Sequence, residues 1–139
     1  MSPVNPVSPA SPANLPQSPA VPEPERPSGG AVSVGIVLVS HSRALAEAAM
    51  DLARRLIVAV DVPVELAAGL ADGGLGTDPG AVVEAVERLA ERCEGVLVLA
   101  DLGSGVMSAE MALEMLDPAL AERTRLSAAP FVEGLLGAY

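Results

Sequence analysis

The chain has no lysine, no tryptophan, one phenylalanine, one tyrosine, one histidine and one cysteine among 139 residues. Each scarcity excludes something. The single cysteine, Cys93, has no partner within the chain, so no disulfide framework is available. With so few aromatic rings the core must be aliphatic, and stacking platforms for bases or sugar rings are missing. The eight basic residues are all arginine and stand against 18 acidic ones, a formal net charge of −10. A chain this acidic, without a basic patch, repels phosphate backbones, which excludes nucleic acid as a partner. No apolar run approaches the roughly eighteen residues of a membrane helix, so no membrane partner is expected. One histidine and one cysteine make no zinc cluster. Neither a Gly-Lys-Ser/Thr P-loop nor a GxSxG elbow occurs. No metal or cofactor is expected to be bound by this chain itself.

What is present is unevenly spread. Residues 1–30 hold nine of the 13 prolines, many three apart. That spacing favours extended polyproline II without a packed core, and predicts a disordered Pro-rich leader. The leader has no positive cluster followed by an apolar stretch, so it does not read as a secretory signal, and the default compartment is the cytoplasm. Residues 31–139 carry seven arginines against sixteen acidic residues, net −9, and suit one domain of ordinary size.

Within that domain, Val34 to Ser40 is an unbroken apolar run of the kind covered on both faces. A helix follows the N-cap residue Ser42, with Leu45, Ala49, Leu52 and Leu56 spaced along one face. Pro63 stops it, and Val64 to Ala68 forms a short second strand. A glycine-rich loop, Gly69 to Thr77, leads to Asp78-Pro79, an N-cap with proline in the first helical position. The second helix runs to about Cys93, turning Val82, Val86, Leu89 and Cys93 inward. Val96 to Ala100 is the third strand, and Asp101 to Gly105 its loop. A third helix is predicted from Ser108 to Leu116, then a helical turn from Ala119 to Glu122. A weak fourth strand covers Arg125 to Ala129, and a last helix opens at Phe131. Met107, Met111 and Met115, at spacing four, are expected in the core or a subunit interface. Strands alternating with helices of ten or more residues imply an α/β fold with a parallel sheet.

A parallel sheet gathers the loops after its strands at one edge, where open α/β sheets place their chemistry. Three loops meet there: Ser40-His41-Ser42, Asp72 to Asp78, and Asp101 to Gly105. They offer one imidazole, the carboxylates of Asp72, Asp78 and Asp101, several hydroxyls and backbone N–H groups freed by glycine. Imidazole is substantially neutral and nucleophilic near pH 7 at its unperturbed pKa. A carboxylate such as Asp101 accepting from one ring nitrogen leaves the other free to attack. Unpaired N–H groups at a helix N-terminus favour an anion. Taken singly, a lone histidine also fits a structural role, a glycine loop a plain turn, and Asp101 a helix cap or metal ligand. Together they suit reversible capture of a phosphoryl group on His41.

Four motifs carry a resemblance, in one order along the chain: Gly35-Ile36-Val37-Leu38-Val39-Ser40-His41-Ser42, Ala68 to Thr77, Leu99-Ala100-Asp101-Leu102-Gly103-Ser104, and Ala129 to Gly134. The pattern resembles the DhaM family, the phosphotransferase subunits of phosphoenolpyruvate-dependent dihydroxyacetone kinases, within the mannose-type enzyme IIA superfamily. The resemblance covers about Val32 to Tyr139. It implies a three-layer α/β/α fold with a central, mostly parallel sheet, and a homodimer. It implies that His41 becomes a transient phosphohistidine by taking a phosphoryl group from the carrier HPr. That group would pass to ADP, held with magnesium on the subunit DhaL, for phosphorylation of dihydroxyacetone on DhaK. Carried over by position, His41 is the phosphorylated residue and Asp101 orients it. Ser42, Thr77, Gly103 and Ser104 fall where the phosphate would sit. Relative to the family domain the leader is extra and the last helix is short. Two further readings stay open: an enzyme IIA component of a mannose-type sugar transporter, and a module whose phosphorylation is sensed by a regulatory partner. The Asp-Leu-Gly-Ser-Gly loop favours the kinase subunit over the transporter, whose versions usually read paired glycine then Ser-Pro.

Overall fold

The computed structural model describes residues 3–4 and 33–139. Apart from Pro3 and Val4, the predicted leader lies outside the described residues. Among the described residues nine elements follow in order: β1 (Val34–Ser40), α1 (Arg43–Leu56), β2 (Val64–Ala68), α2 (Pro79–Ala90), β3 (Gly95–Ala100), α3 (Gly103–Met115), α4 (Pro118–Glu122), β4 (Thr124–Leu126) and α5 (Phe131–Ala138). The four strands pair in the order β2-β1-β3-β4, all parallel.

The alternation of β1 divides the core. Val37 and Val39 turn to one face, where they pack with Val82, Val86 and Leu89 of α2 and Ala109 and Ala112 of α3. Ile36 and Leu38 turn to the other, against Ala46, Ala49, Met50 and Ala53 of α1 and Phe131 and Leu135 of α5. Successive strand residues point to opposite faces, so a strand covered on both sides must be apolar along its length, as β1 is up to Val39. Each fully buried Leu or Val contributes about 1.5–3 kcal/mol through burial. The three-layer α/β/α architecture with a parallel sheet is therefore the one the resemblance implies.

Sheet order sets the position of the site. After β1 the chain turns towards β2 on one side; after β3 it turns towards β4 on the other. The carboxyl ends of β1 and β3 thus flank the topological switch point, where open α/β sheets leave a crevice. His41 follows β1 and Asp101 follows β3.

Several predicted details shift. The buried face of α1 is Ala46, Ala49, Met50 and Ala53, while Leu45, Leu52 and Leu56 are exposed. Alanine lets the helix lie close on the sheet, and that proximity outweighs the larger leucine surface. Helix α3 starts at Gly103, five residues before the predicted Ser108, so the supposed glycine loop is its first turn. Met107, Met111 and Met115 are not in the core; all three are exposed. The fourth strand is Thr124–Leu126, shorter and one residue earlier than expected, while β2 matches its prediction. Val82, Val86, Leu89 and Cys93 are buried as read, with Cys93 just past the end of α2.

Candidate active site

Ser40, His41 and Asp101 come together because β1 and β3 are adjacent and in register, Val39 opposite Ala100. The Asp101 N–H donates to the carbonyl of Val39 at 3.1 Å, continuing the ladder one step past the strands. The Asp101 carboxylate then gathers donors on both oxygens. Oδ2 accepts from the Ser40 hydroxyl and the His41 backbone N–H, each at 2.9 Å. Oδ1 accepts from the Leu102 N–H at 2.7 Å and lies 2.9 Å from His41 Nδ1. Burial works to raise the Asp101 pKa. The bonds from the His41 backbone, the His41 ring, Ser40 and Leu102 outweigh it and hold the carboxyl below its ordinary value. Asp101 is accordingly ionised at neutral pH.

An ionised carboxylate only accepts, so the proton between it and the ring belongs to Nδ1. The Nε2 lone pair is then free and points towards the Ser104 hydroxyl in the first turn of α3. The side chain of His41 is 24% exposed and that of Asp101 8%, so the ring reaches solvent while its anchor stays covered. The first intrahelical bond of α3 comes from the Val106 N–H to Leu102. The N–H groups of Gly103, Ser104 and Gly105 precede it and carry the partial positive charge of a helix start beside Nε2. Gly105 is required there by space. A Cβ at that position would lie 2.8 Å from Asp101 Oδ1 and 3.7 Å from His41 Cε1.

The second loop fixes the backbone of His41. The Gly76 N–H donates to the His41 carbonyl at 2.9 Å, with Gly76 at φ +151°, where a side chain would be strained and would meet Leu70. His41 is therefore held at its N–H by Asp101 and at its C=O by Gly76. Thr77 Oγ1 lies 2.6 Å from Ser108 Oγ, tying this loop to α3. Ser42 caps α1, its hydroxyl accepting from the Leu45 N–H at 3.2 Å, and its own N–H donates to Ser40 Oγ at 3.1 Å. Of the residues singled out in the sequence, His41, Asp101 and Ser104 form one connected cluster and Gly103 adjoins it. The observed bonds of Ser42 and Thr77 are those of a cap and a loop tie.

Two residues of the site carried no role in the sequence reading. Ser40 is fully buried and, among the described residues, the only side-chain hydroxyl on Asp101. Its signal was a hydroxyl closing an otherwise apolar strand. Gly105 was read as loop, and its steric role appears only once α3 is seen to begin before it. The site is open. A cleft of about 350 Å³ lies beside β2, lined by Arg43, Leu70, Asp78 and Glu84 among others, and neither His41 nor Asp101 borders it. A nucleophilic nitrogen on an open surface suits exchange of a small group with another macromolecule better than enclosure of a substrate.

The comparisons with known proteins agree with this geometry. The family model described as EIIA-man, PTS system fructose IIA component, matches residues 35–139. A phosphoryl donor subunit DhaM of a phosphoenolpyruvate-dependent dihydroxyacetone kinase from Klebsiella michiganensis is 46% identical over 107 residues, covering 76% of this chain and 22% of that protein. The corresponding subunit from Escherichia coli is 45% identical with the same coverage. The chain thus spans about a fifth of these relatives. A DhaM from Listeria innocua, 36% identical, is matched over 73% of this chain and 79% of its own length. The crystal structure of EF1359, a protein of unknown function, superposes with a TM-score of 0.68 at 31% identity, covering 75% of this chain and 78% of that one. By sequence and by fold, this chain belongs to the EIIA-man family, in which its relatives are DhaM phosphoryl donor subunits.

Proposed function

We propose that the chain is a phosphohistidine carrier that feeds dihydroxyacetone phosphorylation. In this reading the Nε2 lone pair of His41 attacks the phosphorus of a phosphohistidine on HPr. The new N–P bond forms as the donor's N–P bond breaks. The ring then carries Nδ1–H opposite the Asp101 carboxylate, which offsets its positive charge. In the second half the terminal oxygen of ADP, held with magnesium on DhaL, takes the same phosphorus and releases Nε2. The resulting ATP serves dihydroxyacetone on DhaK. The amides of Gly103 and Ser104 and the Ser104 hydroxyl are assigned to the phosphoryl oxygens, with Ser42 and Thr77 at the edge of that site. The carrier works as a homodimer.

The observation that supports this best is the saturation of Asp101 by donors, since it leaves Nε2 as the reactive nitrogen beside a helix N-terminus. The test mixes labelled phosphoenolpyruvate, the general carrier proteins and this chain, and looks for acid-labile phosphate on His41. His41→Ala should take up no label while keeping its fold by circular dichroism; labelling of that variant would end the proposal. Because the family description names a sugar-system component, a transporter recipient is the second reading. Offering the labelled chain to DhaL with ADP, and separately to a transporter phosphocarrier domain, discriminates between them by where the label goes.

A further inference from the structure

Helix α3 reaches His41 by two routes. At the ring, Ser104 in its first turn meets Nε2. About one turn further along, Ser108 stands on the buried face of α3 and is 9% exposed. Its hydroxyl lies 2.6 Å from Thr77 Oγ1, and among the described residues Thr77 is its side-chain partner. A helix serine can satisfy itself on the carbonyl one turn back; this one spans 31 positions to another loop. Thr77 follows Gly76, whose N–H holds the His41 carbonyl at 2.9 Å. The same loop is bonded to β1 once more, from the Gly69 N–H to the Ser40 carbonyl at 3.0 Å. On its other side Thr77 adjoins Asp78, which caps α2 by accepting from the Gly80 N–H at 2.9 Å. Thr77 thus lies between two anchored backbone positions, and Ser108 ties them to α3.

We propose that Ser108 is a positioning residue for phosphoryl transfer: through Thr77 and Gly76 it sets where His41 stands against the start of α3. The inference rests on the carrier function proposed above. The start of α3 does not support itself. Its N-cap residue, Leu102, offers no side-chain cap, and Gly103, Ser104 and Gly105 are poor helix formers. The N–H groups assigned to the phosphoryl oxygens lie in that turn, so their aim at Nε2 depends on how α3 is held against the His41 loop. Transfer rates respond steeply to such aim, a displacement of about 1 Å costing up to about a hundredfold. Thr77 stands at the edge of the phosphate site with its hydroxyl engaged by Ser108. Its part is to hold the loop, and that part fails without the Ser108 hydroxyl.

The experiment uses the full chain and compares Ser108→Ala, Thr77→Val and the two combined; alanine at 108 keeps the helix. His41 is labelled with phosphoramidate, a small donor, and exchange of the Gly76 amide is followed by NMR. Ser108→Ala should slow labelling about tenfold and speed Gly76 exchange, while the amides paired between β1 and β3 keep their protection. Thr77→Val should do the same. The double variant should be no slower than the slower single one, as expected of two residues acting as a unit. Ser108→Thr, which returns a hydroxyl, should recover labelling and Gly76 protection together; recovery of one without the other overturns the inference. Wild-type labelling by Ser108→Ala beside slow labelling by Thr77→Val also overturns it, since Thr77 would then act on the phosphoryl group directly. So do additive losses in the double variant, or a Gly76 amide that exchanges in Ser108→Ala as it does in wild type. If the wild-type chain takes no label, the carrier function itself fails, and the positioning inference falls with it.

Discussion

Four hydrogen bonds converge on one carboxylate, and all four come from groups that donate: Ser40, the His41 N–H, the Leu102 N–H and the His41 ring. An amide cannot replace such an acceptor, because its NH2 would face a donor whichever way it turned. Asp101→Asn should therefore slow phosphoryl transfer strongly and cost about 1–3 kcal/mol of stability; wild-type rates in rapid-quench measurements would remove Asp101 from the mechanism. The direction of the Ser40 bond is equally constrained. Ser40 Oγ already accepts from the Ser42 N–H, so its proton goes to Asp101. Ser40→Ala should lower the transfer rate, though less than Asp101→Asn, and should be rescued in part by Ser40→Thr. The Asp101 carboxyl is held below its ordinary pKa in the folded state, so it stabilises the fold fully above about pH 4, the unfolded value. That contribution is lost as pH falls further through the depressed folded value. Thermal unfolding should show wild type losing its advantage over Asp101→Asn in that acid range, and a constant difference would contradict the assignment.

At the scale of elements, close approach is what makes the site possible. Gly35 on β1 lies under α2, and a Cβ there would come within 2.9 Å of Leu89 Cδ2 and 3.1 Å of Cys93 Sγ. Gly35→Val should push α2 off the sheet and destabilise the domain by about 1–3 kcal/mol through overpacking, measured by urea unfolding. The same logic governs α3, whose first turn sits against Asp101 only because residue 105 has no side chain. Helix α3 was also the element read least well. Gly103, Ser104 and Gly105 are poor helix formers, and local propensity placed them in a loop. Packing of the turn against Asp101 and His41 overrides that preference. The leucines of α1 misled for a related reason: hydrophobic spacing identifies a stripe, but alanine beside it gave the closer fit to the sheet.

For the whole molecule, residues 33–139 belong to a compact unit of their own. Deleting residues 1–30 should leave the melting temperature within about 2 °C and His41 labelling at the wild-type rate; a large loss in either would mean the leader contributes to the domain. The strands, their order of appearance and the alternation with helices were legible in the sequence, because apolar runs and helical spacing reflect the burial each element must achieve. The meeting of His41 and Asp101 was legible as well, since each follows a strand at the edge where a parallel sheet collects its loops. One imidazole, one buried parallel sheet and an excess of acid can be read directly from the order of residues. The folded packing alone reveals which ring nitrogen faces Asp101, that Ser40 and Gly105 lie against that carboxylate, and that the methionines face outwards. Those outcomes depend on distances between residues some sixty positions apart, and such distances follow from strand register and helix approach, which no local pattern encodes.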